Sequence, residues 1–321
     1  MRAAVGLRTL ALLGVGVVAV SFAAPLMAWL VVPPLAIAFW RNALATAAIA
    51  PVVVARGRGR RAQPDMRMSQ DGPERGASAP AATFACRRTR AWLVVLAGLC
   101  LAAHFGFWIS SLSMTSVASS TAIVSLQVVW VVGFDLLRGA VVPTRVVLGV
   151  LVAVAGAVVV SGVDLSVSRR ALAGDGLALV GSVAVAAYAV LGGRLRQTMP
   201  TSSYTLGCYG TAAAALLVAA LVSGQELTGY DGRQWAGLVL LATTAQLLGH
   251  SVFNHLLATV SPLVVSLALL LEIPGAALIA AAWLGQVPGP AAVGGLVLIL
   301  AGMALVVLSG PREPTAASVP A

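Results

Sequence analysis

In this 321-residue chain 60% of the residues are apolar and 9% are charged, so the groups able to do chemistry away from water are few. Glu272 lies eleven residues into an apolar run, close to mid-depth of a membrane span at about 1.5 Å per residue. A carboxyl there can serve as a substrate or proton site; the alternative is a neutral carboxyl that bridges two helices. Pro274, two residues on, removes one backbone hydrogen bond and frees the carbonyl of Leu270, which predicts a hinge beside the carboxyl. Gln127 stands at the corresponding place in an earlier run, as a ligand for the same solute or as an interhelical amide bond.

The neighbours of Gln127 have helical spacing. Trp130 and Phe134 follow at i+3 and i+7, on a face shared with Ile123 and Ser120, which either lines a cavity or packs on another helix. Arg41 lies between Trp40 and Asn42 inside another apolar run. It either snorkels to the membrane surface or turns inward, where its planar fork suits a carboxylate or phosphate. His104, His250 and His255 can relay protons, although a lone intramembrane His more often makes one interhelical hydrogen bond. His250 and Asn254, four residues apart, share a helix face as a candidate pair. Asp135 and Arg138 are spaced for a local ion pair. Cys86, Cys100 and Cys208 are too few and too scattered for a disulfide framework or a zinc site. Without a phosphate-binding Gly-rich loop, a metal-spaced His/Asp/Glu cluster or a nucleophile elbow, the reading is of no enzyme, no metal and no cofactor.

These side chains must be positioned by membrane helices. Ten apolar runs bounded by Pro, Gly and charge fall at roughly 8–30, 35–54, 91–112, 116–137, 143–163, 174–193, 203–223, 234–256, 261–285 and 289–309. Their length and lack of alternation exclude barrel strands, giving an all-α multi-pass fold. The first run continues through Trp29 and Leu30 and reads as a span rather than a cleaved leader. Residues 115–160 reappear in altered form at 260–305 with a constant offset of 145, which superposes Ser116 on Ser261, Gln127 on Glu272, Pro143 on Pro288 and Gly149 on Gly294. The chain therefore reads as two five-span repeats, 1–163 and 164–310, followed by a short cytoplasmic tail, 311–321.

All twenty basic residues are arginines. With the N-terminus inside and Arg41 set aside within a span, sixteen fall on the cytoplasmic side and three (Arg169, Arg170, Arg233) outside, which places both termini in the cytoplasm. An odd number of spans per repeat makes the repeats inverted, and antiparallel halves can exchange conformations across a central site, the basis of alternating access. Nine of the arginines lie between Arg56 and Arg90, in a polar, Pro- and Gly-rich segment, 55–90, that reads as a disordered cytoplasmic loop. The formal charge of +10 thus belongs to membrane orientation and lipid headgroups; the arginines lack the aromatic interleaving of a nucleic-acid surface. Gly149, Ala153, Ala157 and Ser161 in the fifth span, with Gly294, Gly295 and Gly302 in the tenth, mark faces for close helix approach, as scaffold or as a homodimer surface.

The stretch 249–307, with its Asn-containing eighth span, Ser-Pro turn, Glu272 near Pro274 and Gly-rich tenth span, resembles the closing segment of EamA-type members of the drug/metabolite transporter superfamily. Residues 174–196 and 38–45 are similar to that family's sixth and second helices. The chain departs from the pattern where Ile273 separates Glu272 from Pro274, and where Gln286 replaces a second glutamate. The resemblance implies a secondary carrier of this fold, read as exporting a small amino-acid-like or drug-like solute, and the midplane position of Glu272 adds proton coupling; arginine without lysine and an Ala/Val/Gly-rich vocabulary point to a high-GC bacterial genome and so to the plasma membrane. Tyr188 joins the cavity candidates by its place in the family-like sixth helix. An importer or uniporter of the same fold, or a lipid-moving or structural membrane protein, is the alternative.

Overall fold

A computed structural model describes residues 6–62, 80–162 and 168–308. The helices are α1 (Leu7–Ser21), α2 (Ala23–Trp29), α3 (Pro34–Ala62), α4 (Pro80–Ser111), α5 (Val117–Val124), α6 (Gln127–Leu137), α7 (Thr144–Gly162), α8 (Arg169–Leu195), α9 (Thr201–Val222), α10 (Gly232–Leu241), a π-helical stretch Ala242–His250, α11 (Ser251–Leu256), α12 (Pro262–Leu269), α13 (Glu272–Leu284) and α14 (Pro290–Leu308). No strand occurs among the described residues. Eight helical stretches are long and apolar enough to cross a membrane, and Thr144–Val160 and Pro290–Val306 are two shorter apolar ones. Their positions match the ten runs of the sequence, and the protein is a multi-pass membrane protein.

The segment read as a loop is shorter than expected. α3 continues to Ala62 and α4 starts at Pro80, so helix enters the 55–90 segment from both sides. Its central part, 63–79, lies outside the described residues, as do the 311–321 tail and the boundary near 163.

Spans four and nine are each broken at mid-length, and in register. α5 begins at Val117 and ends at Val124, α12 begins at Pro262 and ends at Leu269, and α6 and α13 restart at Gln127 and Glu272, all at the offset of 145. The hydroxyls of Ser116 and Ser261 cap these spans by accepting from the amides of Ser119 and Val264, again at that offset. At each break the backbone tightens to bonds between residues three apart, Leu126 N–H to Ile123 O at 3.1 Å and Leu271 N–H to Ala268 O at 3.1 Å. The hinge assigned to Pro274 is corrected in two respects. The Leu270 carbonyl is not free, since it accepts from Ile273 N–H at 3.3 Å, and the first repeat breaks at the equivalent place with Val129 where the second has Pro274. Pro274 sits in the first turn of α13, where a missing N–H costs little.

The two broken spans cross antiparallel, α5 against α13 and α6 against α12. α7 and α14 also pack antiparallel, because Gly149 meets Gly302 and Val306 while Gly156 meets Gly295 and Ile299. A Cβ on Gly156 would lie 2.5 Å from the Gly295 carbonyl oxygen, so the backbones touch directly. The small residues predicted as scaffold or dimer surface therefore serve as internal scaffold at these positions; Gly294 faces open space instead. Around these two pairs the same partnership recurs in mirror order: α4 packs on α8 and α1 on the π-helical stretch, α9 on α4 and α3 on the π-helical stretch.

Candidate functional site

The site is built around Arg41. α3 carries it into the core, where its side chain is fully buried, so of the two readings of this residue the inward one matches its position. Its Nε donates to Gln246 Oε1 at 2.8 Å, and Gln246 Nε2 in turn donates to Asn42 Oδ1 at 3.1 Å. Asn42 Nδ2 donates to the Ala38 carbonyl one turn back at 2.8 Å, which fixes both amides. The guanidinium lies 3.9 Å from the centroid of the Phe105 ring. Nη1 reaches only the Met27 sulfur, at 3.6 Å, a weak acceptor, and Nη2 has no partner.

Gln246 reaches Arg41 from the π-helical stretch Ala242–His250. The Thr243 and Thr244 hydroxyls donate to the carbonyls of Val239 and Leu240, which relieves the backbone where the helix widens. The Gln246 carbonyl accepts from Tyr209 Oη and Ser251 Oγ, both at 3.2 Å, tying the wide turn to α9. Neither the π stretch nor the role of Gln246 emerged from sequence reasoning. The available signal was a second uncharged polar group within the eighth run, at Gln246, beside Thr243 and Thr244.

Glu272 is buried at the first position of α13, and its Oε1 has no hydrogen-bond partner. It interacts electrostatically with Arg41 without forming a direct ion pair; the ion pair seen among the described residues is Asp135–Arg138 at 3.7 Å, as predicted from their spacing. His104, His250 and Tyr209 lie within the same electrostatic reach of Arg41. His250 meets the Phe105 ring edge-on at 5.2 Å between centroids. His104 makes the single interhelical bond expected of it, Nδ1 to the Gly181 carbonyl at 3.1 Å.

Gln127, the repeat-mate of Glu272, is also buried at the start of its helix, and its Oε1 is likewise without a partner. One turn and a half earlier, Thr121 and Ser266 stand at the same offset of 145, and both hydroxyls are buried and unpartnered. Two pairs of equivalent positions thus hold unsatisfied oxygen atoms in spans that cross each other. The sequence offset already linked Thr121 to Ser266, but hydroxyls in membrane helices usually bond to their own backbone, so neither stood out.

The remaining candidates separate from Arg41. Trp130 donates to Ser182 Oγ at 2.8 Å and packs against Val131, Ala186 and Val190, which is the helix-packing reading of its stripe. Tyr188 donates to Asn254 Oδ1 at 2.7 Å and stacks on Tyr204 with centroids 6.2 Å apart. The Asn254 carbonyl accepts from Arg196 Nε at 2.8 Å, and Arg196 Nη2 reaches Thr201 Oγ1 at 2.7 Å. His250 and Asn254 therefore make different contacts, His250 with the Phe105 ring and Asn254 with Tyr188 and Arg196.

A buried guanidinium lacking a full set of acceptors, with a carboxyl and paired amide and hydroxyl oxygens in broken helices, defines a class: a polytopic helical membrane protein with a charged interior. Residues 172–308 match the model of the EamA-like transporter family, so the second half carries a domain of this drug/metabolite transporter type. A solved crystal structure of a protein is similar over 94% of this chain and 96% of that one, with a TM-score of 0.67 and 19% identity, so the two share a fold over nearly the whole chain. No curated protein matches.

Proposed function

We propose that the chain is a secondary exporter of a small metabolite, amino-acid-like or drug-like, working by alternating access between two inverted five-helix halves, 1–163 and 164–310, in the plasma membrane with both termini cytoplasmic. Support for the inverted halves comes from the helix breaks at a constant offset and from the antiparallel crossings of α5–α6 with α12–α13 and of α7 with α14. Two equivalent, oppositely directed halves can exchange conformations around a central site without a change in their internal packing.

The observation that carries the reading is that buried Arg41 and buried Glu272, within electrostatic reach of each other, each keep an unpartnered polar atom. Leaving a guanidinium nitrogen and a carboxyl oxygen buried without partners costs several kcal/mol, about what a scaffold would avoid by substituting apolar residues. A solute acid group on Arg41 Nη2 and solute donors on the Glu272 and Gln127 oxygens would satisfy all three. Proton exchange at Glu272 would then alternate the charge facing Arg41 and couple solute movement to protons. The bonds Trp130–Ser182 and Tyr188–Asn254 hold α8 against its neighbours and keep these side chains at the periphery of the proposed site.

The test is comparative metabolite profiling of cells and medium with wild type or Glu272→Gln expressed at equal level. Solutes that appear in the medium with wild type alone are the expected result. Solute accumulating inside cells would replace export by uptake. Equal profiles for wild type and non-expressing cells over a broad panel would sink the transport reading in favour of a lipid-moving or structural role.

A further inference from the structure

A second site lies at the end of the bundle where α4 begins and α8 ends. These helices run antiparallel, since His104 bonds to Gly181 while Gly174 packs against Ser111 and Met114. Their apolar spans terminate at Arg88 and Leu195, so this end stands at the bilayer interface. A cavity of about 330 Å³ opens there, lined by Thr89, Arg90, Arg194 and Thr198. The two guanidiniums offer charge-assisted donors to one phosphate, while the Thr198 hydroxyl donates to the Leu195 carbonyl at 3.4 Å.

The cavity does not end at the polar groups. Thr89 and Leu93 are shared with a second cavity of about 350 Å³ that continues down α4 over Trp92, Leu96 and Leu99. Trp92, Leu96 and Leu99 are 65%, 47% and 45% exposed and recur at i, i+4 and i+7, so they form one ridge facing the hydrocarbon. Trp92 sits beside Arg90 at the start of the span, the depth at which Trp rings settle in membranes. A basic cup at headgroup depth that runs directly into an apolar groove in the acyl region has the polarity profile of a phospholipid, and a soluble anion would leave the groove unused.

We propose that this α4–α8 site binds one anionic phospholipid, its phosphate on Arg90 and Arg194 and one acyl chain along Leu93, Leu96 and Leu99. The lipid bridges the two helices that His104 also joins, and the site is separate from the Arg41 region and independent of which solute is carried. A zwitterionic lipid brings its own ammonium to the cup and is held less well.

The experiment is native mass spectrometry of the full chain in detergent, titrated with phosphatidylglycerol or phosphatidylcholine of matched chains. Wild type is expected to retain one phosphatidylglycerol in preference to phosphatidylcholine. Arg90→Gln with Arg194→Gln is expected to weaken phosphatidylglycerol retention about thirtyfold, from the usual contribution of two interfacial arginines. Arg90→Lys with Arg194→Lys keeps the charge and should restore most of it, while Arg138→Gln, a surface arginine elsewhere, should change nothing. Equal retention of the two lipids by wild type overturns the proposal without any variant. So does undiminished binding in the double Gln variant, or full displacement of the lipid by sn-glycerol 3-phosphate, which would make the cup a site for soluble phosphate.

Discussion

Replacing Gly156 with alanine adds one methyl group where α7 and α14 touch backbone to backbone. The new Cβ would lie 2.5 Å from the Gly295 carbonyl oxygen and 2.7 Å from the Ile299 nitrogen, against an ordinary separation of 3.4–4 Å. Because both obstacles are main-chain atoms, no rotamer change relieves them, and the helices must part by about 1 Å. Overpacking of that kind costs roughly 3 kcal/mol, at the upper end of its usual range. Alanine's better helix propensity returns about 1 kcal/mol, leaving a net loss of about 2 kcal/mol. The antiparallel crossing demands the same of the partner glycine, since a Cβ on Gly295 would lie 2.6 Å from the Gly156 carbonyl oxygen. Gly294, one residue away, meets nothing within 4 Å, so alanine there should be neutral or mildly stabilising. The assay is the fraction of monodisperse protein remaining after heating in detergent. Gly156→Ala and Gly295→Ala should each lower the midpoint by several degrees, while Gly294→Ala leaves it level or higher. Equal midpoints for Gly156→Ala and Gly294→Ala would refute the packing argument. As α7 and α14 serve as scaffold, transport per folded molecule should survive in all three.

Arg41→Lys keeps a charge but loses the planar stack on Phe105 and the fixed fork held by Gln246, so affinity for an acidic solute should fall at least tenfold, measured as a shift in half-saturating concentration. An unchanged value would remove Arg41 from solute recognition. Gln246→Leu leaves Arg41 Nε and Asn42 Oδ1 unpartnered and should destabilise the fold by about 2 kcal/mol or more, seen in the same heating assay. Trp130→Phe gives up one bond to Ser182, about 0.6 kcal/mol, and should leave transport intact; loss of transport in a well-folded variant would put the indole against solute after all. Tyr188→Phe orphans the Asn254 oxygen in addition to its already unpartnered Nδ2, and should lower thermal stability more than Trp130→Phe does.

What the sequence determines about this protein is whatever depends on distance along the chain. Hydropathy and length mark the membrane spans, because the bilayer acts as a uniform solvent that reads composition alone. The offset of 145 names Glu272 and Gln127 as equivalents before any contact is known, and the same offset later locates both helix breaks and both serine caps. What only the tertiary structure decides is rotation about each helix axis and long-range partnership. Arg41 faces the core rather than the membrane surface because Gln246, 205 residues away, supplies the acceptor for its Nε. The π-helical stretch that carries Gln246 accepts a bond from the Tyr209 hydroxyl of another span, and no local propensity encodes that bond. Small residues at Gly149 and Gly302 permit close approach wherever a partner lies; that they meet each other within one chain follows from the antiparallel packing of α7 and α14.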